Sequence, residues 1–144
     1  LRERGERDDK IIREKVAEAL ALVNMGGHDE KMPVNLSGGM RKRVALARAI
    51  ISPPQVILYD EPTAGLDPIV ADSINKLIRR LQKQLSVTSI VVTHDMVSCK
   101  HIADRVALLN EGKRHFYGTL SDLEGTEDKV IRDFVDGRSE EEED

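Results

Sequence analysis

Aromatic side chains make up only 3% of the 144 residues, Trp is absent, and there is a single cysteine. Any core must therefore be built from Leu, Ile, Val and Ala. Cys99 cannot close an internal disulfide, and its setting, Val97-Ser98-Cys99-Lys100, offers no metal-ligand spacing. It reads as an ordinary thiol of a reducing compartment. No run approaches the roughly 18 to 20 consecutive apolar residues that span a bilayer. The opening Leu1-Arg2-Glu3-Arg4 is charged and leads into no apolar stretch, unlike a secretory signal. It also starts with Leu, not Met, which reads as an unnatural start. These absences lead to the expectation of a soluble, cytoplasmic chain. An excess of positive charge is missing too: 22 Lys and Arg against 26 Asp and Glu give a net charge of -4. A general nucleic-acid binder would normally be basic. What is present is ordinary for one domain or part of one, with 40% hydrophobic and 33% charged residues.

The pattern alternates between short apolar runs and amphipathic stretches. Ile12, Val16, Ala19, Leu20 and Val23 recur at helical spacing from Lys10, with Gly26-Gly27 as the stop. A second helix follows Leu36-Ser37-Gly38-Gly39, with Met40, Val44, Ala47 and Ile51 as its apolar stripe and Arg41, Lys42, Arg43 and Arg48 as its solvated side. Ser52-Pro53-Pro54 ends it, because a residue before proline avoids helical backbone. Val56-Ile57-Leu58-Tyr59 is a short uninterrupted apolar run, as in a parallel strand buried on both faces. A third helix runs to about Leu85, with Ile74, Leu77, Ile78, Leu81 and Leu85 on one face. Thr88 to Val92 is a second buried strand, followed by a short helix over Asp95 to Ala103. Val106-Ala107-Leu108-Leu109 and Arg114-His115-Phe116-Tyr117 form a hairpin around Glu111-Gly112. Val130, Ile131, Phe134 and Val135 mark a last short helix, and Glu140 to Asp144 is an acidic, solvated tail. This rhythm is that of an α/β domain with a largely parallel sheet.

Four clusters carry chemistry. Ser37, Gly38 and Gly39 stand at a helix N-terminus, where free N–H groups and the helix dipole favour an anion and glycine lets a phosphate approach. A plain serine cap is the competing reading. Asp60 and Glu61 end an apolar strand, placing two carboxylates at the edge where open α/β folds bind ligands. Asp60 suits Mg²⁺, which takes one or two protein carboxylates besides phosphate oxygens. Glu61 suits proton acceptance from, or orientation of, a water. An acidic turn without a role is the alternative. Asp67-Pro68 reads as an ordinary helix start, a role compatible with a functional one. Finally, the strand ending Val91-Val92-Thr93-His94 delivers a histidine to the same edge, where it could donate to a terminal phosphate; a lone histidine there is also often structural.

Taken together, Leu36-Ser37-Gly38-Gly39-Met40, the Val56 to Glu61 run, Pro62-Thr63, Ala64-Gly65-Leu66-Asp67 and His94 resemble the nucleotide-binding domain of ABC transporters. Their order and spacing match the family's signature, Walker B, D-loop and switch histidine. Met40 departs from the glutamine of the usual signature. The resemblance extends from about Arg13 to Asp136. It implies a P-loop NTPase-like partial domain, α/β with a largely parallel sheet and a helical signature subdomain. The implied layout is residues 1–55 for the helical subdomain, 56–118 for the C-terminal half of the ATPase core, 119–138 for a C-terminal helical segment and 139–144 for the acidic tail. It implies ATP and Mg²⁺ as ligands, with Asp60 on the metal and Glu61 as general base. His94 would sense the γ-phosphate, Ser37, Gly38 and Gly39 would contact the ATP bound by a partner, and Asp67 would lie at the dimer interface. The implied partners are a second nucleotide-binding domain, as a homodimer, and transmembrane permease subunits, with no nucleic acid. That would hold the chain peripherally on the cytoplasmic face of the inner membrane. Met40, Ala45-Leu46-Ala47-Arg48-Ala49-Ile50, Asp67-Pro68-Ile69 and the segment Lys129 to Gly137 further resemble the ATPase of Mla/Mce-type phospholipid transporters.

The phosphate-binding pattern G-x-x-x-x-G-K-[ST] does not occur. Gly112-Lys113 has Ala107 in place of the first glycine and Arg114 in place of Ser/Thr. That loop supplies most of the electrostatic catalysis in such enzymes. The expectation is thus a fragment or truncated product of an ATPase, inactive alone. Two other readings stay open: a non-catalytic module offering only its signature face, and the ATPase of another ABC importer. The DNA-repair branch of the superfamily fits less well, because no coiled-coil heptads flank the signature.

Overall fold

The computed structural model describes residues 1–138, so the expected acidic tail, 139–144, lies outside the described residues. The chain is α/β and divides into two compact units, Leu1–His94 and the part from Asp95 onward.

In the first unit a short 3-10 turn at Arg2–Arg4 precedes α1, Asp9–Leu22. Asp8 starts α1 by accepting from the amides of Lys10 and Ile11. The helix ends before the expected Gly26-Gly27 stop. Asn24 takes a left-handed backbone, φ 57°, and two guanidinium groups take up the last carbonyls. Arg43 donates to Val23 O at 3.1 Å, and Arg80 donates to Leu22 O at 2.8 Å. Arg43 thus departs from the solvated side on which the sequence places it. The two guanidinium groups are the C-terminal cap of α1, drawn from the two helices that follow.

A 3-10 turn at Pro33–Asn35 leads to α2, Gly38–Ile50. Its buried face is Leu46, Ala47 and Ile50, with Met40, Val44 and Ile51 only partly covered. The expected stripe is thus rotated by part of a turn. Strand β1, Val56–Asp60, pairs in parallel with β2, Thr88–Val92, with Val56 opposite Thr88 and Asp60 opposite Val92. Between them runs α3, Pro68–Leu85, which buries Ile74, Leu77, Ile78 and Leu81. Ile57 and Tyr59 of β1 join this cluster together with Leu20, Val23 and Met25.

The strands depart from the expectation of burial on both faces. Ile57 and Tyr59 are each 5% exposed, whereas Val56, Leu58, Ile90 and Val92 are 49% to 73% exposed. Side chains alternate across a strand, and the register puts these four on one side. The helices of residues 1–94 cover only the other side.

The second unit begins with α4, Met96–Ile102, capped by Asp95. Strands β3, Val106–Asn110, and β4, Lys113–Gly118, form the expected antiparallel hairpin. Glu111 and Gly112 both have positive φ, the geometry of a tight two-residue turn whose twist matches the strands. The ladder slips at Leu108/Leu109. The C-terminal segment is two helices: α5, Leu120–Glu124, started by a reciprocal Thr119/Asp122 capping box, and α6, Lys129–Asp136, capped by Asp128 and closed by Gly137 in left-handed conformation. Leu123 and Ile131 are its buried side chains.

Candidate functional site

Glu61 follows β1 directly, and the parallel ladder continues one residue into it: its N–H donates to Val92 O at 2.9 Å. The chain then turns through a left-handed backbone, φ 44° at Glu61, a region that non-glycine residues adopt sparingly. Its carbonyl accepts from Lys42 Nζ of α2 at 2.8 Å and from the Ala64 amide at 3.3 Å. The carboxylate is held as closely. Oε1 accepts from the His94 amide at 3.2 Å and meets His94 Nδ1 at 2.8 Å, while Oε2 accepts from Thr93 Oγ1 at 3.3 Å. The hydrogen bond from His94 holds the Glu61 carboxyl below its ordinary range, against a smaller upward push from burial.

This geometry refines the role expected for His94. A neutral ring that donates through Nδ1 to a carboxylate offers Nε2 as an acceptor only. It can donate to a phosphate when it is doubly protonated or when it lets go of Glu61. The two residues that sequence reading placed at one sheet edge are thus in direct contact.

Ser37 caps α2, its Oγ accepting from the Met40 amide at 3.3 Å. Gly38 and Gly39 form the first turn, and packing demands the lack of a side chain at Gly39. A Cβ on Gly39 would lie 2.6 Å from a methyl of Val70, and one on Gly38 would lie 3.3 Å from a methyl of Leu66. The start of α2 therefore rests on the loop that follows Glu61 and on the first turn of α3. Asp67 caps α3, accepting from the amides of Ile69 and Val70, both at 3.0 Å, so the structural reading of that residue holds. Asp60 is exposed at the end of β1. With Lys42, Tyr59 and Pro62 it lines a cavity of about 420 Å³ beside α2. Among the described residues no three His, Cys, Asp or Glu side chains converge to hold a metal by themselves. The donor set at Asp60 fits an ion that shares its coordination with phosphate and water, as Mg²⁺ does. Lys42 and Thr93 are the contributors that sequence reading missed. Their only signal was proximity to the signature and to His94.

The family model described as ABC transporter matches residues 2–64. The probable ribonucleotide transport ATP-binding protein mkl of Mycobacterium bovis is 38% identical over 138 residues, covering 96% of this chain and 38% of its own length. The methionine import ATP-binding protein MetN of Clostridium tetani is 44% identical over 129 residues, covering 87% of this chain and 41% of its own length. The chain thus spans well under half the length of these relatives. Among solved structures, the ATP-binding cassette MJ0796, in a dimeric post-hydrolysis state bound to ADP and Pi, superposes with a TM-score of 0.69 at 31% identity. That match covers 81% of this chain and 50% of the cassette. The order of motifs, the α/β architecture and these likenesses together place the chain in the family of ABC transporter ATP-binding domains.

Proposed function

We propose that the chain contributes the signature, Walker B and switch-histidine part of an ATP-hydrolysing subunit of an ABC transporter. The observation that supports this best is the immobilised Glu61 carboxylate beside Asp60, held by Thr93 and His94. In this reading Asp60 would hold Mg²⁺, which would supply neutralisation of phosphate charge. Glu61 accepts the proton of the attacking water. His94 senses the γ-phosphate. Ser37, Gly38 and Gly39 offer the N-terminus of α2 to the nucleotide of a second nucleotide-binding domain, and Asp67 lies at that dimer interface. Permease subunits would hold the assembly on the cytoplasmic face of the inner membrane, since among the described residues no helix is long and apolar enough to cross one. The resemblance of Met40, residues 45–50, Asp67-Pro68-Ile69 and Lys129 to Gly137 to Mla/Mce-type ATPases supports phospholipid as the cargo. The importers among the relatives carry other cargoes in their names, including methionine and sulfate/thiosulfate. Phospholipid exchange between vesicles by the assembled transporter separates these.

This sequence contains no Walker A lysine or its glycine-rich loop, so the 144-residue chain should bind Mg-ATP weakly and turn it over negligibly. Joined to a P-loop-bearing half, it should hydrolyse ATP in a Mg²⁺-dependent manner. Glu61→Gln should then cut kcat by about a hundredfold to ten-thousandfold, the usual range for loss of one general base. Robust turnover by the chain alone, or an active Glu61→Gln assembly, would refute this assignment. The second reading, a non-catalytic module, is favoured by the signature helix standing complete without a phosphate cradle. It predicts no hydrolysis in either form.

A further inference from the structure

We propose that Lys42 is a positioning residue for Glu61, tying the signature helix to the catalytic carboxylate within one chain. The inference rests on reading Glu61 as the base. Lys42 lies one turn into α2, half-buried, and its ammonium reaches across 19 positions of sequence to donate to the Glu61 carbonyl at 2.8 Å. That carbonyl belongs to a residue in left-handed backbone and also accepts from the Ala64 amide at 3.3 Å. On the other side of the same residue, the N–H is fixed to Val92 O. Clamped at both ends, the peptide sets the direction of the Glu61 side chain toward Thr93 and His94.

One turn earlier Ser37 caps the same helix, and the glycines there lie against Leu66 and Val70. The start of α2 and the 61–70 segment therefore form one packed unit. Anything that shifts the first turn of α2, such as a phosphate arriving at its N-terminus, also shifts the anchor of Lys42 and with it the carboxylate. A point-like ammonium on a flexible stem suits a single carbonyl acceptor. Arginine can make the same bond, and alanine cannot.

Two measurements test this. The first is amide hydrogen exchange on the 144-residue chain, which needs no activity. Lys42→Ala should speed exchange severalfold at Glu61 and His94, whose amides report the turn and the carboxylate, while leaving α3 amides and the unfolding midpoint unchanged. The second is steady-state kinetics of the chain joined to a P-loop-bearing half. Lys42→Ala should lower kcat about tenfold with KM for ATP within about twofold, and Lys42→Arg should restore most of it. Unchanged exchange at Glu61 and His94, a kcat loss matched by general destabilisation, or a rise in KM alone would each overturn the proposal. If the unsubstituted assembly does not hydrolyse ATP, the proposed function fails, and the exchange result alone judges whether Lys42 positions Glu61.

Discussion

Gly39 shows how a residue can satisfy two demands at once. Its sequence context points to phosphate access, and the structure adds a packing demand. Alanine in place of glycine within a helix normally gains about 1 kcal/mol. Here the new methyl would sit 2.6 Å from the stiff, β-branched Val70, and overpacking of that kind costs about 1–3 kcal/mol. The clash wins or at least cancels the gain. Gly39→Ala should therefore destabilise the 144-residue chain slightly in urea unfolding, and adding Val70→Ala should relieve the clash. A stabilised Gly39→Ala variant would show that the contact is loose. Arg43 and Arg80 make the complementary point. Nothing in their helical spacing distinguishes them from solvated charges, because their acceptors, the carbonyls of Val23 and Leu22, sit 20 and 58 positions away.

Among the elements, α6 depends on pH in a defined direction. Its cap, Asp128, accepts from the Ile131 amide at 3.2 Å and meets His115 Nε2 of β4 at 3.0 Å. The backbone bond first, and His115 second, hold its carboxyl below the ordinary value of 3.8. A depressed carboxyl stabilises the fold in its charged form. That contribution is complete above the ordinary value and is lost as pH falls through it toward the lower folded one. The Ile131 amide should thus lose protection as pH falls below the ordinary value of 3.8. Asp128→Asn, which still caps, should flatten the pH dependence, and an unaltered profile in that variant would contradict the assignment. The helix itself was legible from Val130, Ile131, Phe134 and Val135. Its cap and its tie to the hairpin were not, since both depend on which strand residue arrives beside Asp128.

At the scale of the molecule, the uncovered side of the parallel pair is the main departure from expectation. Val56, Leu58, Ile90 and Val92 form a contiguous apolar strip on a sheet of only two strands. Such strips mark surfaces that meet another chain or segment. With Leu58 already 73% exposed, Leu58→Thr should change the stability of the 144-residue chain by less than about 0.5 kcal/mol, as surface substitutions do. It should also reduce self-association in sedimentation, and weaken assembly with a P-loop-bearing half. A large loss of stability would mean that the strip is covered within the chain.

The sequence by itself determined the local matters. The strand–helix–strand order follows from hydrophobic period, the helix starts at Ser37 and Asp67 follow from capping chemistry, and the family follows from four motifs in order. These depend on neighbours within a few positions. Tertiary structure decided which side of the β1–β2 sheet is covered, that Glu61 and His94 touch, that Gly39 is pressed on Val70, and that Lys42 reaches the Glu61 carbonyl. The last three are meetings of groups 19 to 33 positions apart, and no periodicity records them, because distance along a chain says little about distance in a packed fold.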